Sequence, residues 1–299
     1  MRIIEAPSLS ALTTLGLGGT CQREVILEEE KDLERLSCEL EASGSKPYAL
    51  GLGSNILGLD GRHDVLLIKP ALKGEPKILS ESGDAVLVRV QCGQSLPSFL
   101  GFCKRNGLSG LEGLSGIPGS VGGAAAMNAG SFGANFCDAL ASCTVWQDGS
   151  VKRFDKERIA SGYRQFMPQG LEGSFFLVLS ADLLLHRDEP ELVARRMEAN
   201  LALKKSRQPV RARSAGCVFK NPPGDLSAGR LLDAAGFKGR KLGGVAFSEM
   251  HANFLVNTGA GTAAEAARLL RQAREAVKAE FGIELEYEVR TVPAGAAGL

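Results

Sequence analysis

The run Gly216–Pro222 places three groups that could do chemistry side by side. Cys217 offers a thiol, Lys220 a cation and Asn221 an amide, in a strand-like segment that a proline closes. A thiol has an ordinary pKa of about 8.5 and can donate a proton. A cysteine in an apolar run is more often an inert core residue, so this segment needs support from elsewhere in the chain.

Arg164 and Glu288 supply the other two groups of a plausible reaction centre. Arg164 ends the Gly162-Tyr163-Arg164 run, and Glu288 lies near the C-terminus. A thiol, a guanidinium and a carboxylate that converge could protonate and stabilise an anionic intermediate. The simpler reading of Arg164 is a surface arginine. For Glu288 it is one of three solvated glutamates on a strand face.

Two glycine-rich segments could line a ligand with main-chain groups. Residues 51–55 follow a predicted strand, and successive N–H groups of such a turn can bind phosphate oxygens. Residues 107–133 carry too few bulky side chains to form a core of their own and suit the binding of a flat cofactor. The alternatives are a tight turn and a small-residue packing surface. Neither segment is a Rossmann fingerprint or a P-loop.

Composition limits the classes of protein that need considering. The 299 residues suit two domains, and a net charge of +1 gives no overall attraction to nucleic acid or an anionic membrane. The chain has no apolar run long enough for a signal peptide or a membrane helix. The seven scattered cysteines contain no CxxC pair, which favours reduced thiols, no metal site and a cytoplasmic location.

Periodicity predicts the elements that would position these groups. Helices are expected at 28–43, 97–106, 191–207, 227–235 and 262–280, and strands at 47–50, 65–68, 86–92 and 283–289. The last strand alternates strictly between apolar residues and glutamates. The pattern is α+β, with a domain boundary near residue 190.

Seven motifs, in order along nearly the whole chain, together resemble the UDP-N-acetylenolpyruvoylglucosamine reductase family. They are TTLGLGGT at 13–20, LGLGSNIL at 50–57, the run 107–133, GYR at 162–164, SAGCVFKNP at 214–222, SEMHANFLVN at 248–257 and LEYEVR at 285–290. The short segment between Arg164 and Cys217 resembles the family's shorter, type II form.

The resemblance implies a fold and its ligands. It implies an FAD-binding domain of the vanillyl-alcohol-oxidase (PCMH) type at 1–189, in lobes of about 1–70 and 71–189, then an α+β substrate-binding domain at 190–299. FAD would be bound non-covalently, with NADPH as reductant. The residues expected to bind FAD are Gly51, Gly53, Ser54, Asn55, Ile56, Ile117, Gly119, Ser120, Gly122, Gly123, Ala124 and Asn128.

The resemblance also implies roles for the reactive groups. Cys217 would donate a proton to C2 of an enolpyruvyl ether, Arg164 would stabilise the intermediate, and Glu288 would assist the protonation. Lys220, Asn221 and Arg164 would bind the UDP-sugar. Departures from the family pattern are Phe132 for a frequent tyrosine, Phe166 near a usual small polar residue, and Met250 for a frequent lysine.

Two other functions stay open at this point. A cysteine-dependent hydrolase would use Cys217 and His251, and would need the two side chains within hydrogen-bond reach. A non-catalytic flavin- or UDP-sugar-binding protein would keep the glycine-rich segments without needing Cys217, Arg164 and Glu288.

Overall fold

Helices and mostly antiparallel sheets are interspersed along the chain in the computed structural model, which describes residues 1–295. The α-helices are α1 (Leu9–Leu12), α2 (Asp32–Ser43), α3 (Leu96–Arg105), α4 (Val121–Ala126), α5 (Pro190–Arg207), α6 (Ala228–Ala234) and α7 (Ala263–Phe281). Single 3₁₀ turns lie at Glu112–Leu114, Phe136–Asp138 and Lys156–Arg158.

The strands are numbered in chain order. They are β1 (Arg2–Glu5), β2 (Thr20–Leu27), β3 (Lys46–Ala49), β4 (Ile56–Gly58), β5 (Arg62–Pro70), β6 (Lys77–Ser82), β7 (Ala85–Gln91), β8 (Leu108–Ser109), β9 (Gly130–Ser131), β10 (Ala134–Asn135), β11 (Leu140–Gln147), β12 (Ser150–Asp155), β13 (Ile159–Gly162), β14 (Gln165–Pro168), β15 (Leu177–Arg187), β16 (Ser214–Cys217), β17 (Lys241–Leu242), β18 (Val245–Phe247), β19 (Phe254–Asn257) and β20 (Arg290–Val292).

The chain packs into two compact units. Unit 1 comprises Met1–Ile4, Glu24–Leu52 and Leu66–Lys204, and unit 2 comprises Glu5–Arg23, Gly53–Val65 and the described residues from 205 to 295. A four-stranded sheet has the order β1-β2-β5-β3. These units are groups of residues that pack together, whereas the predicted domains were distinguished by the ligand that each would bind. The domain boundary near residue 190 therefore stays a prediction. Residues 296–299 of the predicted second domain lie outside the described residues.

Unit 1 is built on a sheet of order β12-β11-β15-β7-β6, to which β8 adds through β15. One core cluster brings the sheet residues Val88 and Leu183 together with Phe99 of α3 and Val121 of α4. A second cluster joins Leu36 of α2 to Trp146 of β11. The glycine-rich segment 107–133 therefore lies against a packed sheet rather than in a free loop.

Unit 2 is built on a sheet of order β16-β19-β18-β17, and α6 and α7 pack with it. The apolar stripe predicted for α7 is buried, including Leu269, Leu270 and Val277. The predicted capping box is present, since Thr262 and Glu265 satisfy each other's backbone N–H groups, and Gly282 ends the helix in a left-handed conformation.

Four of the five predicted helices lie within one residue of their expected bounds, and α2 is the exception. The helix begins at Asp32 and not at Glu28. The Asp32 carboxylate accepts hydrogen bonds from the backbone N–H groups of Glu28 (2.8 Å) and Glu29 (3.0 Å). This side-chain bonding holds the preceding residues in a turn, which periodicity could not reveal.

The strand predicted at 283–289 is wrong as a regular strand. Only Tyr287 forms a bridge, to Phe219, and the regular strand there is β20, which begins at Arg290 and pairs with β4 in parallel. The alternation itself is real, because Leu285 and Val289 are buried while Glu284 and Glu286 are exposed. An extended segment can alternate without a continuous ladder of backbone hydrogen bonds beside it.

Within residues 1–295, no helix is both long and apolar enough to cross a membrane. The same residues contain no cluster of His, Cys, Asp or Glu side chains that could hold a metal ion.

Candidate active site

Cys217 is the last residue of β16, where it pairs with Phe254 of β19. The pairing register shifts between Ser214 and Cys217, and Gly216 has a φ of +78°, in the left-handed region. Such an irregularity bends a strand and changes the direction of a side chain. The Cys217 side chain is half-buried, which makes it accessible without full exposure.

The other six thiols differ from Cys217 in their exposure to solvent, since five are buried and one is exposed. Burial raises the pKa of Cys21 and Cys137 to about 11, and that of Cys92, Cys103 and Cys143 to about 12. These five thiols are held in the protonated, unreactive form in the core. Cys38 is exposed, on α2 of unit 1.

Glu288 lies on the segment next to the one that carries Cys217. Its backbone N–H donates to the carbonyl of Val218 (2.8 Å), and the N–H of Lys220 donates to the carbonyl of Glu286 (2.8 Å). The Glu288 residue is half-buried, while the Glu286 side chain is 74% exposed and pairs with Lys220 Nζ at 2.9 Å. The structure therefore separates the two glutamates, which the alternating sequence pattern made equivalent.

The 53–55 turn belongs to unit 2 and lies next to Glu288. Asn55 Nδ2 donates to the Glu288 carbonyl (3.1 Å), and the Arg290 N–H donates to the Asn55 carbonyl (3.1 Å). Ile56 follows as the buried first residue of β4. Three predicted site segments, around Asn55, Cys217 and Glu288, are thus brought together within one unit.

Gly53 is required by both conformation and space. Its φ is +67°, and a Cβ at this position would overlap the Leu12 carbonyl oxygen and lie 2.8 Å from Thr13 Cα. The Gly53 carbonyl accepts the Thr14 N–H (3.1 Å). The Thr14 hydroxyl donates to the Ser214 carbonyl (2.6 Å) at the start of β16. Thr14 therefore links the predicted cofactor turn to the strand that carries Cys217.

Arg164 lies in unit 1, at the turn between β13 and β14, with a φ of +56°. Its guanidinium donates to the carbonyls of Asn128 (3.4 Å) and Gly130 (3.3 Å) and lies 5.1 Å from the centre of the Tyr163 ring. The guanidinium is thus positioned by the glycine-rich segment. Arg164 belongs to unit 1 and Cys217 to unit 2. Their convergence at one site therefore stays a prediction.

Asn128 holds the Arg164 hairpin in place. Its Nδ2 donates to the Gly162 carbonyl (2.8 Å), and its Oδ1 accepts the Cys137 N–H (2.9 Å). Asn128 is 4% exposed and has a φ of +37°. Its side chain is therefore engaged with the protein, and a direct contact of Asn128 with FAD stays a prediction.

The other predicted FAD residues of unit 1 lie at the start of α4. Ser120 caps this helix by accepting the Gly123 N–H (3.2 Å). A Cβ on Gly51 would lie 2.6 Å from Ser120 Oγ, so the two glycine-rich segments meet at this point. A Cβ on Gly122 would lie 2.9 Å from Cys92 Cβ. Ile117, Gly119 and Ala124 belong to the same run, and Gly119 has a φ of +125°.

Two groups that sequence reasoning missed lie in or against this glycine-rich run. Ser115 is 4% exposed, and its hydroxyl is without a hydrogen-bond partner among residues 1–295. Lys204 is 3% exposed; its Cδ would lie 3.2 Å from a Cβ on Gly116, and its Nζ lies 5.5 Å from the centre of the Phe132 ring. A buried hydroxyl without a partner among the described residues, beside close-packed glycines, fits a cofactor that carries polar groups.

Asn221 and Lys220 are both held in place by neighbouring residues. Asn221 Oδ1 accepts the N–H of Ala228, the first residue of α6 (3.1 Å). Lys220 Nζ forms the ion pair with the exposed Glu286 carboxylate that is described above.

The positions that depart from the family pattern lie in different surroundings. Phe166 is 5% exposed and belongs to the core of unit 1. Phe132 is exposed, near Lys204. Met250 is exposed and lines a cavity of about 610 Å³ in unit 2, together with Lys205, Arg211 and Lys241.

His251 has the surroundings of a structural histidine. Its Nδ1 accepts the Asn253 N–H (3.2 Å), its ring packs against Phe254, and burial lowers its pKa. A ring nitrogen that is used locally is poorly suited to activate a thiol nucleophile. This arrangement disfavours the hydrolase hypothesis.

Comparisons with known proteins agree with this geometry. Residues 208–292 match the family model described as UDP-N-acetylenolpyruvoylglucosamine reductase, C-terminal domain, and residues 22–155 match the model described as FAD binding domain. These matches confirm the predicted PCMH-type FAD-binding fold followed by an α+β domain.

Relatives cover almost the whole chain. The UDP-N-acetylenolpyruvoylglucosamine reductase of Nitratidesulfovibrio vulgaris is 47% identical over 97% of this chain and 98% of its own. The enzyme of the same name from Oleidesulfovibrio alaskensis is 46% identical with the same coverage. The crystal structure of the reductase from Thermus caldophilus superposes with a TM-score of 0.79 and 37% identity, covering 97% of this chain and 99% of that one. The chain therefore belongs to the UDP-N-acetylenolpyruvoylglucosamine reductase family, and it is an FAD-dependent oxidoreductase that reduces an enolpyruvyl UDP-sugar in peptidoglycan synthesis.

Proposed function

We propose that Cys217 is the proton donor of this reduction, that Glu288 assists it and that Arg164 stabilises the negative charge that develops on the substrate. FAD, when bound, supplies a hydride that originates from NADPH and that adds to C3 of the enolpyruvyl group. The negative charge left at C2 extends into the substrate carboxylate. Protonation of C2 by the Cys217 thiol then completes the reduction to the lactyl ether.

The hydrogen bond from the Glu288 N–H to the Val218 carbonyl is the observation that carries this proposal (2.8 Å). It places the backbone of Glu288, a half-buried residue, beside Val218, the residue that follows Cys217. Asn55, which also contacts the Glu288 backbone, extends the same arrangement to the predicted cofactor turn. A proton donor must lie within reach of the atom it protonates, so a fixed frame around it favours the reaction.

Arg164 suits the stabilising role because its guanidinium is held before substrate binds. Two carbonyl groups of the glycine-rich segment accept its N–H groups, at 3.3 and 3.4 Å. A guanidinium can also bind a carboxylate with two parallel hydrogen bonds. A preorganised cation lowers the barrier because little reorganisation is needed as charge develops.

The FAD site is proposed to be non-covalent and to use the backbone of Gly51, Gly53, Ser54, Asn55 and Ile56, together with residues of the run 117–128 named above. The close approaches at Gly51, Gly53 and Gly122 support a site built from main-chain groups. Denaturation followed by ultrafiltration should release all flavin into the filtrate. Flavin retained with the chain would contradict the non-covalent mode.

We propose that Lys220 or Asn221, together with other basic side chains of the second domain, binds the UDP diphosphate, and that Asn221 is the stronger candidate. A net charge of +1 cannot attract a dianion, so local donors must do so. Asn221→Ala should mainly raise the KM for the UDP-sugar, and an unchanged KM would contradict the assignment. Among residues 1–295 none of the seven cysteines forms a disulfide, which supports action in the reducing cytoplasm.

The two half-reactions test the role of Cys217. Reduction of FAD by NADPH needs no proton at substrate C2, whereas reoxidation by the enolpyruvyl sugar does. Cys217→Ala should therefore leave flavin bleaching by NADPH near the wild-type rate and slow reoxidation by about 10²–10⁴-fold. Cys217→Ser should retain substantial activity, because a hydroxyl can occupy the same place. Rapid-mixing absorbance measures both steps, and wild-type reoxidation in Cys217→Ala would refute the assignment.

A further inference from the structure

Asn253 is a buried asparagine directly before β19, with 2% of its surface exposed. Its side chain makes two hydrogen bonds to one residue: Oδ1 accepts the Phe219 N–H (3.0 Å), and Nδ2 donates to the Phe219 carbonyl (2.8 Å). Its own carbonyl accepts the Val218 N–H (3.0 Å). Three hydrogen bonds from Asn253 thus hold the two residues that follow Cys217.

The position of these bonds explains why an asparagine is needed. The ladder between β16 and β19 ends at the pair Cys217–Phe254, yet Phe219 is completely buried and its N–H and C=O still need partners. A carboxamide offers one acceptor and a donor group, as a peptide unit does. The Asn253 side chain therefore takes the place of a neighbouring strand and keeps the segment after Cys217 in a single path.

The same segment also holds Glu288. The Val218 carbonyl accepts the Glu288 N–H, while the Val218 N–H donates to the Asn253 carbonyl. A displacement of Val218 and Phe219 would therefore move the backbone of both proposed proton-transfer residues. The other bond of Asn253, from its N–H to His251 Nδ1 (3.2 Å), ties it to the preceding turn.

We infer that Asn253 is a positioning residue for proton delivery: it fixes the segment that places Cys217 and Glu288 relative to the substrate. This inference rests on the proposed roles of those two residues. A purely structural role would lower stability and would not act selectively on the step that consumes a proton.

Asn253→Leu, which removes both side-chain hydrogen bonds, and Asn253→Asp, which keeps only the acceptor for the Phe219 N–H, test the inference in the FAD-loaded protein. We expect Asn253→Leu to slow reoxidation by the enolpyruvyl sugar about 10- to 100-fold, because small displacements of reacting groups have effects of this order. Asn253→Asp should give a smaller loss. NADPH reduction of FAD should stay near the wild-type rate in both.

Val277→Ala is the matched control. Val277 is fully buried in the same core cluster of unit 2, so its truncation should lower stability, and its side chain forms no hydrogen bond that could position Cys217 or Glu288. It should lower the melting temperature without separating the two half-reactions. The solvent isotope effect in D₂O on reoxidation is the second readout. It should rise in Asn253→Leu and stay unchanged in Val277→Ala, because proton transfer becomes slower only in the former.

The outcomes separate the inference from the proposed function. Selective slowing of reoxidation with a larger isotope effect supports it. A wild-type reoxidation rate in Asn253→Leu, or equal slowing of both half-reactions, overturns it while the slow reoxidation of Cys217→Ala still stands. If Cys217→Ala itself reoxidises normally, the proposed proton donor is wrong, whatever Asn253 does. If Asn253→Leu does not fold, Asn253→Asp decides. Selective slowing of its reoxidation supports the inference, and a wild-type reoxidation rate or equal slowing of both half-reactions overturns it.

Discussion

The glycine-rich part of unit 1 and the Cys217 region of unit 2 are built in different ways. In unit 1, the run 107–133 is shaped by glycines whose missing side chains allow close backbone packing. In unit 2, the segment that carries Cys217 and its neighbouring segment are held by side chains that bond to backbone groups: Thr14 to Ser214, Asn55 to Glu288 and Asn253 to Phe219. We propose that the first arrangement makes room for FAD. We propose that the second fixes the distance between the proposed reactive groups.

This difference predicts which substitutions should affect folding and cofactor binding, and which should affect the rate of a chemical step. A side chain added where only backbone fits should alter folding and cofactor binding. Loss of a side-chain hydrogen bond near Cys217 should alter the rate of one chemical step. Four substitutions, described below from the largest expected effect to the smallest, test this division.

Gly53→Ala should have the largest effect, because Gly53 has both a left-handed backbone and closely packed neighbours. Gly44 has the left-handed backbone alone, so it serves as the control. Both have left-handed backbone, with φ of +67° and +62°, but the space around a Cβ on Gly44 is open. Gly44→Ala should lower the free energy of unfolding by about 1 kcal/mol, the cost of the conformation alone. Gly53→Ala should lower it by about 2–4 kcal/mol, since Leu12 and Thr13 present backbone that cannot move aside easily.

Chemical denaturation of the two alanine variants, with and without FAD, measures this difference. Gly53→Ala should also weaken FAD binding, whereas Gly44→Ala should not. Equal losses in the two variants would mean that the 53–55 turn relaxes around the added methyl group, and that close backbone packing adds no cost at Gly53.

Glu288→Gln and Glu286→Gln form a second matched pair, because the two glutamates lie two residues apart in one segment but have different surroundings. Glu288→Gln should slow reoxidation about 10²-fold, because a carboxylate that assists proton transfer becomes an amide. Glu286→Gln removes only an exposed ion pair with Lys220, and it should change neither half-reaction. Rapid-mixing absorbance compares them. Equal rates in the two variants would remove Glu288 from the proposed site.

Asp182→Asn tests a side-chain network in unit 1 that lies outside the proposed site. Asp182 accepts hydrogen bonds from Arg89 Nε (2.7 Å), Arg153 (2.8 Å) and Ser142 (3.0 Å), which connect four strands of the sheet. The substitution should lower the free energy of unfolding by about 2 kcal/mol at neutral pH, as expected for hydrogen bonds to a charged group. Both half-reactions should keep their rates. A selective change in either would contradict the assignment of this network to stability.

The pH dependence of this effect has a defined sign. Burial alone would raise the pKa of Asp182, but hydrogen bonds from Arg89 and Ser142 and the charges of Arg89 and Arg153 hold that pKa below its ordinary value. A carboxyl group with a lowered folded-state pKa stabilises the protein above the unfolded-state pKa, and this contribution is lost as the pH falls further. The stability difference between wild type and Asp182→Asn should therefore shrink below about pH 4.

Thr14→Val should have the smallest effect. It removes one hydroxyl, the donor to the Ser214 carbonyl, and keeps the backbone bond to Gly53. The side chain is exposed, so the loss of stability should be about 0.5–1 kcal/mol. Reoxidation should slow by a few-fold at most. Thr14→Ser retains the hydroxyl and should restore both values; a Thr14→Ser variant as impaired as Thr14→Val would show that the methyl group matters instead.

Local signals in the sequence were sufficient for most helices. Thr262 and Glu265 with Gly282 define α7, and the apolar stripe between them is buried as expected. The reason is that caps and periodicity depend on residues within a few positions of one another. The motif order along the chain likewise determined the family and its FAD-binding fold, because long ordered motifs are specific even without coordinates.

Tertiary structure alone decided how the candidate site is held together. The bonds of Thr14, Asn55 and Asn253 join residues far apart in the sequence, and no local pattern encodes such partners. The alternation at 283–289 could not show that Glu288 is half-buried while Glu286 is exposed, since both lie on the same side of the pattern. Periodicity records which face of a segment is polar. Only the packing of distant segments determines which polar residue on that face is partly removed from solvent and hydrogen-bonded through its backbone to Val218.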